Sequence, residues 1–151
     1  MPSISLPTDG QVPYGDTLRT AIETINSAVD TATADTGWVT SGVITASPNW
    51  TVNSYAIRKL FKTVHLAFLN VTYTGSGISV PTSGDVTNTP IAVVGSDFRP
   101  NGTRGGFANV NSGRMASAYI TSDGTISLSA VGGSGDIANG AVFSFAGDWL
   151  I

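Results

Sequence analysis

Thr63-Val64-His65-Leu66-Ala67-Phe68-Leu69-Asn70-Val71 carries apolar residues in both phases of a two-residue repeat: Val64, Leu66 and Phe68 in one, Ala67, Leu69 and Val71 in the other. No glycine or proline interrupts it, and its residue types favour an extended chain. A strand apolar on both faces belongs between two layers, either two sheets of one domain or a sheet and a neighbouring subunit. A β domain of about 110 residues can bury only a modest core alone. The surplus apolar face therefore points to an oligomer.

Working outward, further strands are expected at Trp38–Ile44, Ser54–Arg58, Lys62–Tyr73, Ile91–Val94, Arg114–Thr121, Thr125–Ala130 and Ala141–Phe145. Clusters of Gly, Pro, Asn and Ser separate them at the spacing of an antiparallel β-sandwich, here of jelly-roll type. Ser122-Asp123-Gly124-Thr125 is the clearest hairpin signal, because Asp-Gly suits the positive φ values of a type I′ turn.

Upstream the pattern changes. Asp16 stands as an N-cap before Thr17, and Leu18, Ile22, Ile25 and Val29 follow at spacings of four, three and four. They form one narrow seam on a helix, the a/d pattern of a coiled coil, and isoleucine-rich seams favour three strands. Two heptads fall short of the three or four on which a coiled coil is read, so packing on the chain's own domain is the alternative. Residues 1–15 contain Pro2, Pro7, Gly10, Pro13 and Gly15, which excludes a helix and suits an extended arm. Ile4, Leu6, Val12 and Tyr14 recur along it as side chains that a groove on a partner would bury. The expected organisation is an arm (1–15), a short helix and linker (16–36) and a β head (37–151), mainly β and homotrimeric.

Composition narrows the function. Of 151 residues, 11% are charged, with 7 Lys+Arg against 10 Asp+Glu, so the basic surface that binds nucleic acid is missing. There is no cysteine and one histidine, which excludes thiol chemistry and disulfides and leaves little for a transition metal. Glu23 is the sole glutamate, and Ser, Thr and Asn supply the polar surface. No apolar run reaches the 18 or so residues of a membrane span, and the opening residues lack the pattern of a secretory signal. The sequons at Asn49, Asn70 and Asn101 are then expected to carry no glycan.

The order of motifs resembles a known family. Gly37-Trp38-Val39 is followed by Arg58-Lys59-Leu60-Phe61-Lys62, then Phe98-Arg99-Pro100, the Asp123-Gly124 hairpin and a final aromatic strand. This is similar to the trimeric β-sandwich head modules of tailed-bacteriophage fibre, minor-tail and receptor-binding proteins, which capsid decoration proteins also use. Ile4-Ser5-Leu6-Pro7-Thr8-Asp9-Gly10, with Pro13, Tyr14 and a helix after it, resembles short virion-docking arms. Leu60-Phe61 departs from the family, whose hairpin has a glycine there, and Val94-Gly95-Ser96-Asp97 replaces the usual Leu-Pro-x-Gly. The resemblance implies a homotrimer on the virion surface with no catalysis and no cofactor. Its arm would bind other virion proteins, on the tail or on the capsid, and its head a host cell-surface glycan. Capsid decoration, with the arm clamping the shell, is the alternative to host attachment.

Candidate site residues are few. His65 has a core-like position and no G-x-S-x-G elbow accompanies it, so a triad is not expected. The aspartates read as turn formers rather than a glycosidase pair, and Asp85, Asp97 and Asp136 do not form a calcium loop. Gly105-Gly106 and Gly132-Gly133-Ser134-Gly135 read as flexible connections, and Arg58, Lys59 and Lys62 as a solvated tip. Trp38 and Trp149 are expected in the core or between subunits. Trp50, in the loop Ala46-Ser47-Pro48-Asn49-Trp50, is the ring expected to be exposed, and with Asn53, Arg104 and Phe107 it forms the candidate glycan-binding set.

Overall fold

A computed structural model describes residues 15–32, 35–110 and 113–151. The arm residues Ile4, Leu6, Val12 and Tyr14 lie outside the described residues. The chain divides into two compact units, with the boundary between Asp35 and Thr36.

The first unit contains α1 (Gly15–Ala32), which extends further than the seam required. Asp16 lies in its first turn, where a carboxylate complements the helix dipole. Arg19 and Glu23 pair at 3.4 Å one turn apart. The seam is bare: Leu18, Ile25 and Val29 are 47%, 56% and 39% exposed, and Ile22 is half-buried.

The second unit is an antiparallel β structure. Its strands are β1 (Ile44–Ala46), β2 (Trp50–Leu60), β3 (Thr63–Tyr73), β4 (Asp85–Val94), β5 (Arg104–Val110), β6 (Met115–Ile120), β7 (Thr125–Val131) and β8 (Val142–Leu150). They form one sheet in the order β1-β4-β7-β6-β5-β8-β3-β2. The mainly β, antiparallel unit expected from the sequence is present, and its eight strands are joined in one sheet of barrel-like form. Long strands turn the corners through bulges, at Val52/Ser54 in β2, at Ala67 between Leu66 and Leu69 in β3, and at Pro90/Ala92 in β4. The two edge strands meet where Val39 bridges Ile57 and the Tyr55 hydroxyl accepts the backbone N–H groups of Val43 and Ile44.

The bulge in β3 explains why its sequence is apolar in both phases. Val64 and Leu66 point into the core in one phase; after the bulge Leu69, Val71 and Tyr73 do so in the other. Phe68 is turned outward and is 39% exposed. The strand is thus buried on one face at a time rather than on both.

β5 was not expected at all, because its sequence Arg104-Gly105-Gly106-Phe107 looks like a loop; it pairs with both β6 and β8. The expected strand Trp38–Ile44 reduces to the Val39 bridge and β1. The core runs through the barrel, with Ile57, Val64, Leu69, Val71, Ile91, Leu128 and Phe143 among its fully buried side chains. Each such side chain contributes roughly 1.5–3 kcal/mol by leaving water.

Three turns set the register. Pro48-Asn49 forms a type II turn, with Asn49 at φ 67° and Trp50 N–H on the Ser47 carbonyl. In the β2–β3 hairpin Leu60 pairs with Thr63, and Phe61 at φ 57° occupies the first central position, the glycine place of a type II′ turn. The Asp123-Gly124 turn is not type I′, since only Gly124 has positive φ (88°). Gly124 N–H bonds the Thr121 carbonyl and Thr121 N–H bonds that of Thr125. This is a type I turn closed by a glycine bulge.

Candidate functional site

The strand registers sort the connections of the β unit into two ends. Thr36–Val43, the Phe61 turn, residues 95–103, the Asp123 turn and Ile151 lie at the end where the chain enters. Residues 47–49, 74–84, 113–114 and 132–141 lie at the far end.

The four candidate glycan-binding residues are not brought together. Trp50, expected to be exposed, is 6% exposed. Its ring packs against Tyr73 at 5.0 Å and edge-on to Phe143 at 5.3 Å between centroids. The type II turn delivers it inward as the first residue of β2, and its indole N–H is buried without a partner. Asn53 is the exposed bulge residue of β2 and donates to the Thr72 hydroxyl at 2.8 Å. Arg104 begins β5 at the opposite end, donating to Asn101 Oδ1 at 3.1 Å. It borders a small apolar pocket between β5, β6 and β8, under Gly106 and Gly147. Phe107 lies further along β5, paired with Ser117 and Ala146.

The far end holds an arrangement the sequence did not disclose. Arg114 donates to the carbonyls of Gly132 at 2.6 Å, Gly133 at 3.0 Å and Gly135 at 3.0 Å. The glycine-rich loop is therefore fastened by one guanidinium rather than left loose. A cleft of about 350 Å³ lies on one side, lined by Val110, Arg114, Asp136, Ala138, Asn139 and Gly140. A second, of about 310 Å³, is lined by Thr82, Ser83, Met115, Ser117 and Gly133. Asn139 anchors the neighbouring loop through the carbonyls of Thr74 and Gly75. The clefts offer backbone groups, hydroxyls and a carboxylate over apolar floors, chemistry that suits sugar hydroxyls.

His65 does not lie in the core. Its Nδ1 is 2.9 Å from Asp148 Oδ1 on the outer face of β3 and β8, and both side chains are substantially exposed. No serine hydroxyl is hydrogen-bonded to this imidazole among the described residues. No three His, Asp or Glu side chains gather as a metal site among the described residues. Arg58 is not simply a solvated tip: its Cζ lies 5.9 Å above the Trp38 ring.

The Asp123 carboxyl is held below the ordinary aspartate range, first by the Thr121 hydroxyl and then by the Thr125 N–H and hydroxyl. It acts as a turn former. Trp149 is buried and donates to the Phe98 carbonyl at 2.7 Å, whereas Trp38 is 52% exposed. No helix is long and apolar enough to cross a membrane among the described residues. Comparison with protein-family models and with curated proteins finds no match to this chain.

Proposed function

We propose that this chain is a trimeric module on the exterior of a tailed-bacteriophage virion, with its β unit serving attachment to a host-cell glycan. The observation that carries the reading is the bare seam of α1. Leu18, Ile25 and Val29 expose their side chains on one stripe of an 18-residue helix. A helix this short is marginal alone in water, and two further copies would bury the stripe in a three-stranded coil. A short stalk followed by a β head is the organisation the motif order implies.

Attachment, rather than capsid decoration, is favoured by the far end of the β unit. Two clefts with polar rims flank a loop fixed by Arg114, away from where the chain enters. Three heads would present six such clefts, and weak binding at each would be multiplied by effective concentration. The low surface charge suits a neutral saccharide. The arm carrying Ile4, Leu6, Val12 and Tyr14 would hold the trimer to other virion proteins.

Immunogold labelling of intact particles with antibody to this chain tests the reading. Gold at the tail tip, with adsorption blocked by the same antibody, is the expected result. Gold over the shell with adsorption unaffected would transfer the protein to capsid decoration.

A further inference from the structure

Asparagine is followed by glycine twice in the sequence, at Asn101-Gly102 and Asn139-Gly140. In such a pair no Cβ shields the glycine nitrogen, and the backbone bends freely enough for that nitrogen to reach the preceding side-chain amide. By sequence the two pairs are equivalent. The structure treats them oppositely.

Asn139 is locked. Its Nδ2 donates to the carbonyls of Thr74 at 2.9 Å and Gly75 at 3.3 Å, and Gly140 N–H donates to the Tyr73 carbonyl at 2.8 Å. These hydrogen bonds must open before the two nitrogens are free to react. Asn101 is the reverse. It is exposed, it lies with Gly102 in a bend, and its backbone N–H is anchored on the Leu150 carbonyl at 3.1 Å. Neither its Nδ2 nor the Gly102 N–H has a hydrogen-bond acceptor among the described residues. The Arg104 guanidinium lies across the pair. Its Nη2 donates to Asn101 Oδ1 at 3.1 Å, its Nη1 donates to the Thr103 carbonyl at 3.3 Å, and a Cβ on Gly102 would come 3.9 Å from Nη1.

We infer that Asn101 is a site of self-modification, where the side-chain amide is lost through a cyclic imide. The Gly102 nitrogen gives its proton to water and attacks Asn101 Cγ, forming a C–N bond and placing negative charge on Oδ1. Arg104 Nη2 already donates to that oxygen, so the guanidinium stabilises the charge as it develops. The tetrahedral centre collapses by breaking the Cγ–Nδ2 bond, and Nδ2 takes up a proton and leaves as ammonia. Water then opens the five-membered ring at either carbonyl, which leaves aspartate or isoaspartate at position 101. Water is consumed and ammonia released in equal amounts, with nothing oxidised or reduced. In the aspartate product a carboxylate replaces the amide as the acceptor of Arg104, and a charge-assisted hydrogen bond of this kind is the stronger one.

The test incubates the full chain in mildly alkaline buffer and follows the peptides spanning both pairs by mass spectrometry. In the folded protein, conversion at 101 should outrun that at 139 by about tenfold or more. In denaturant the two rates should converge, because the contacts that distinguish them are gone. Arg104→Met keeps an unbranched side chain and removes the donors; Arg104→Ala takes its place if circular dichroism shows a disturbed fold. Either should slow conversion at 101 severalfold in the folded protein and leave the rate in denaturant unchanged. Equal folded rates at the two pairs, or conversion at 139 with 101 intact, would overturn the inference. An unchanged folded rate in the Arg104 variants would overturn the part given to the guanidinium.

Discussion

The Tyr55 hydroxyl accepts from Val43 N at 2.8 Å and from Ile44 N at 3.3 Å, joining β2 to β1 at the seam of the barrel. Tyr55 is 4% exposed, so water cannot replace it readily. Tyr55→Phe keeps the ring and leaves the Ile44 N–H without its acceptor. The expected cost is about 1–3 kcal/mol, read as a lower urea midpoint with an unchanged slope. An unaltered midpoint would show that the seam is held by packing alone.

Phe61 occupies the left-handed region at φ 57° in a two-residue turn. An L-residue with a Cβ pays about 1–2 kcal/mol for that conformation, and glycine recovers it less some chain entropy. Phe61→Gly should raise stability by roughly 1 kcal/mol, read as a higher urea midpoint. An unchanged or lower midpoint would show that the Phe61 ring contributes more by packing than its backbone costs.

The Asp123 turn predicts a pH dependence. The hydrogen bonds from Thr121 and Thr125 depress the folded carboxyl below its unfolded value of about 3.9. The unfolded chain then binds more protons in the interval between the two values. The stabilisation is fully present above the unfolded value and is lost as pH falls through the folded one. Asp123→Asn should flatten stability against pH below about pH 4 while changing it less at low pH than at neutral pH. Parallel curves for the two proteins would refute this.

Two glycines should respond oppositely to alanine. At Gly124 an added Cβ would lie 2.6 Å from the Val94 carbonyl oxygen, on a backbone at φ 88°. At Gly147 it would meet nothing within 4 Å, and that φ is one any residue adopts. Gly147→Ala should stabilise by about 0.4–1 kcal/mol, whereas Gly124→Ala should destabilise by more than that. Thermal unfolding of the pair decides the matter.

These positions also mark what could be read from sequence. The seam of α1 was legible because its three spacings share one helical period, and the β3 and β7 strands because apolar residues recur at two-residue intervals without glycine or proline. Phe61 stands out in the sequence because it takes the place of a hairpin glycine. β5 was hidden because Gly105-Gly106 has the composition of a loop, and only pairing on both sides makes it a strand. Trp50 was misplaced for a related reason: a Pro-Asn turn looks like an exposed loop, yet its geometry aims the next residue inward. Arg114 gave no signal, because its three acceptors are backbone carbonyls some twenty residues away, and backbone groups have no letter in a sequence.

The three tryptophans occupy three unlike surroundings, which gives the protein an internal set of optical reporters. Trp50 is enclosed by rings with its N–H unbonded, Trp149 is enclosed and hydrogen-bonded, and Trp38 faces outward beneath a guanidinium. Emission from the first two comes at short wavelength and follows unfolding from opposite ends of the barrel. Trp38 emits at long wavelength from its wet face. Fluorescence of the unmodified chain thus distinguishes melting at the far end from melting at the near end, against a reporter that is solvated throughout.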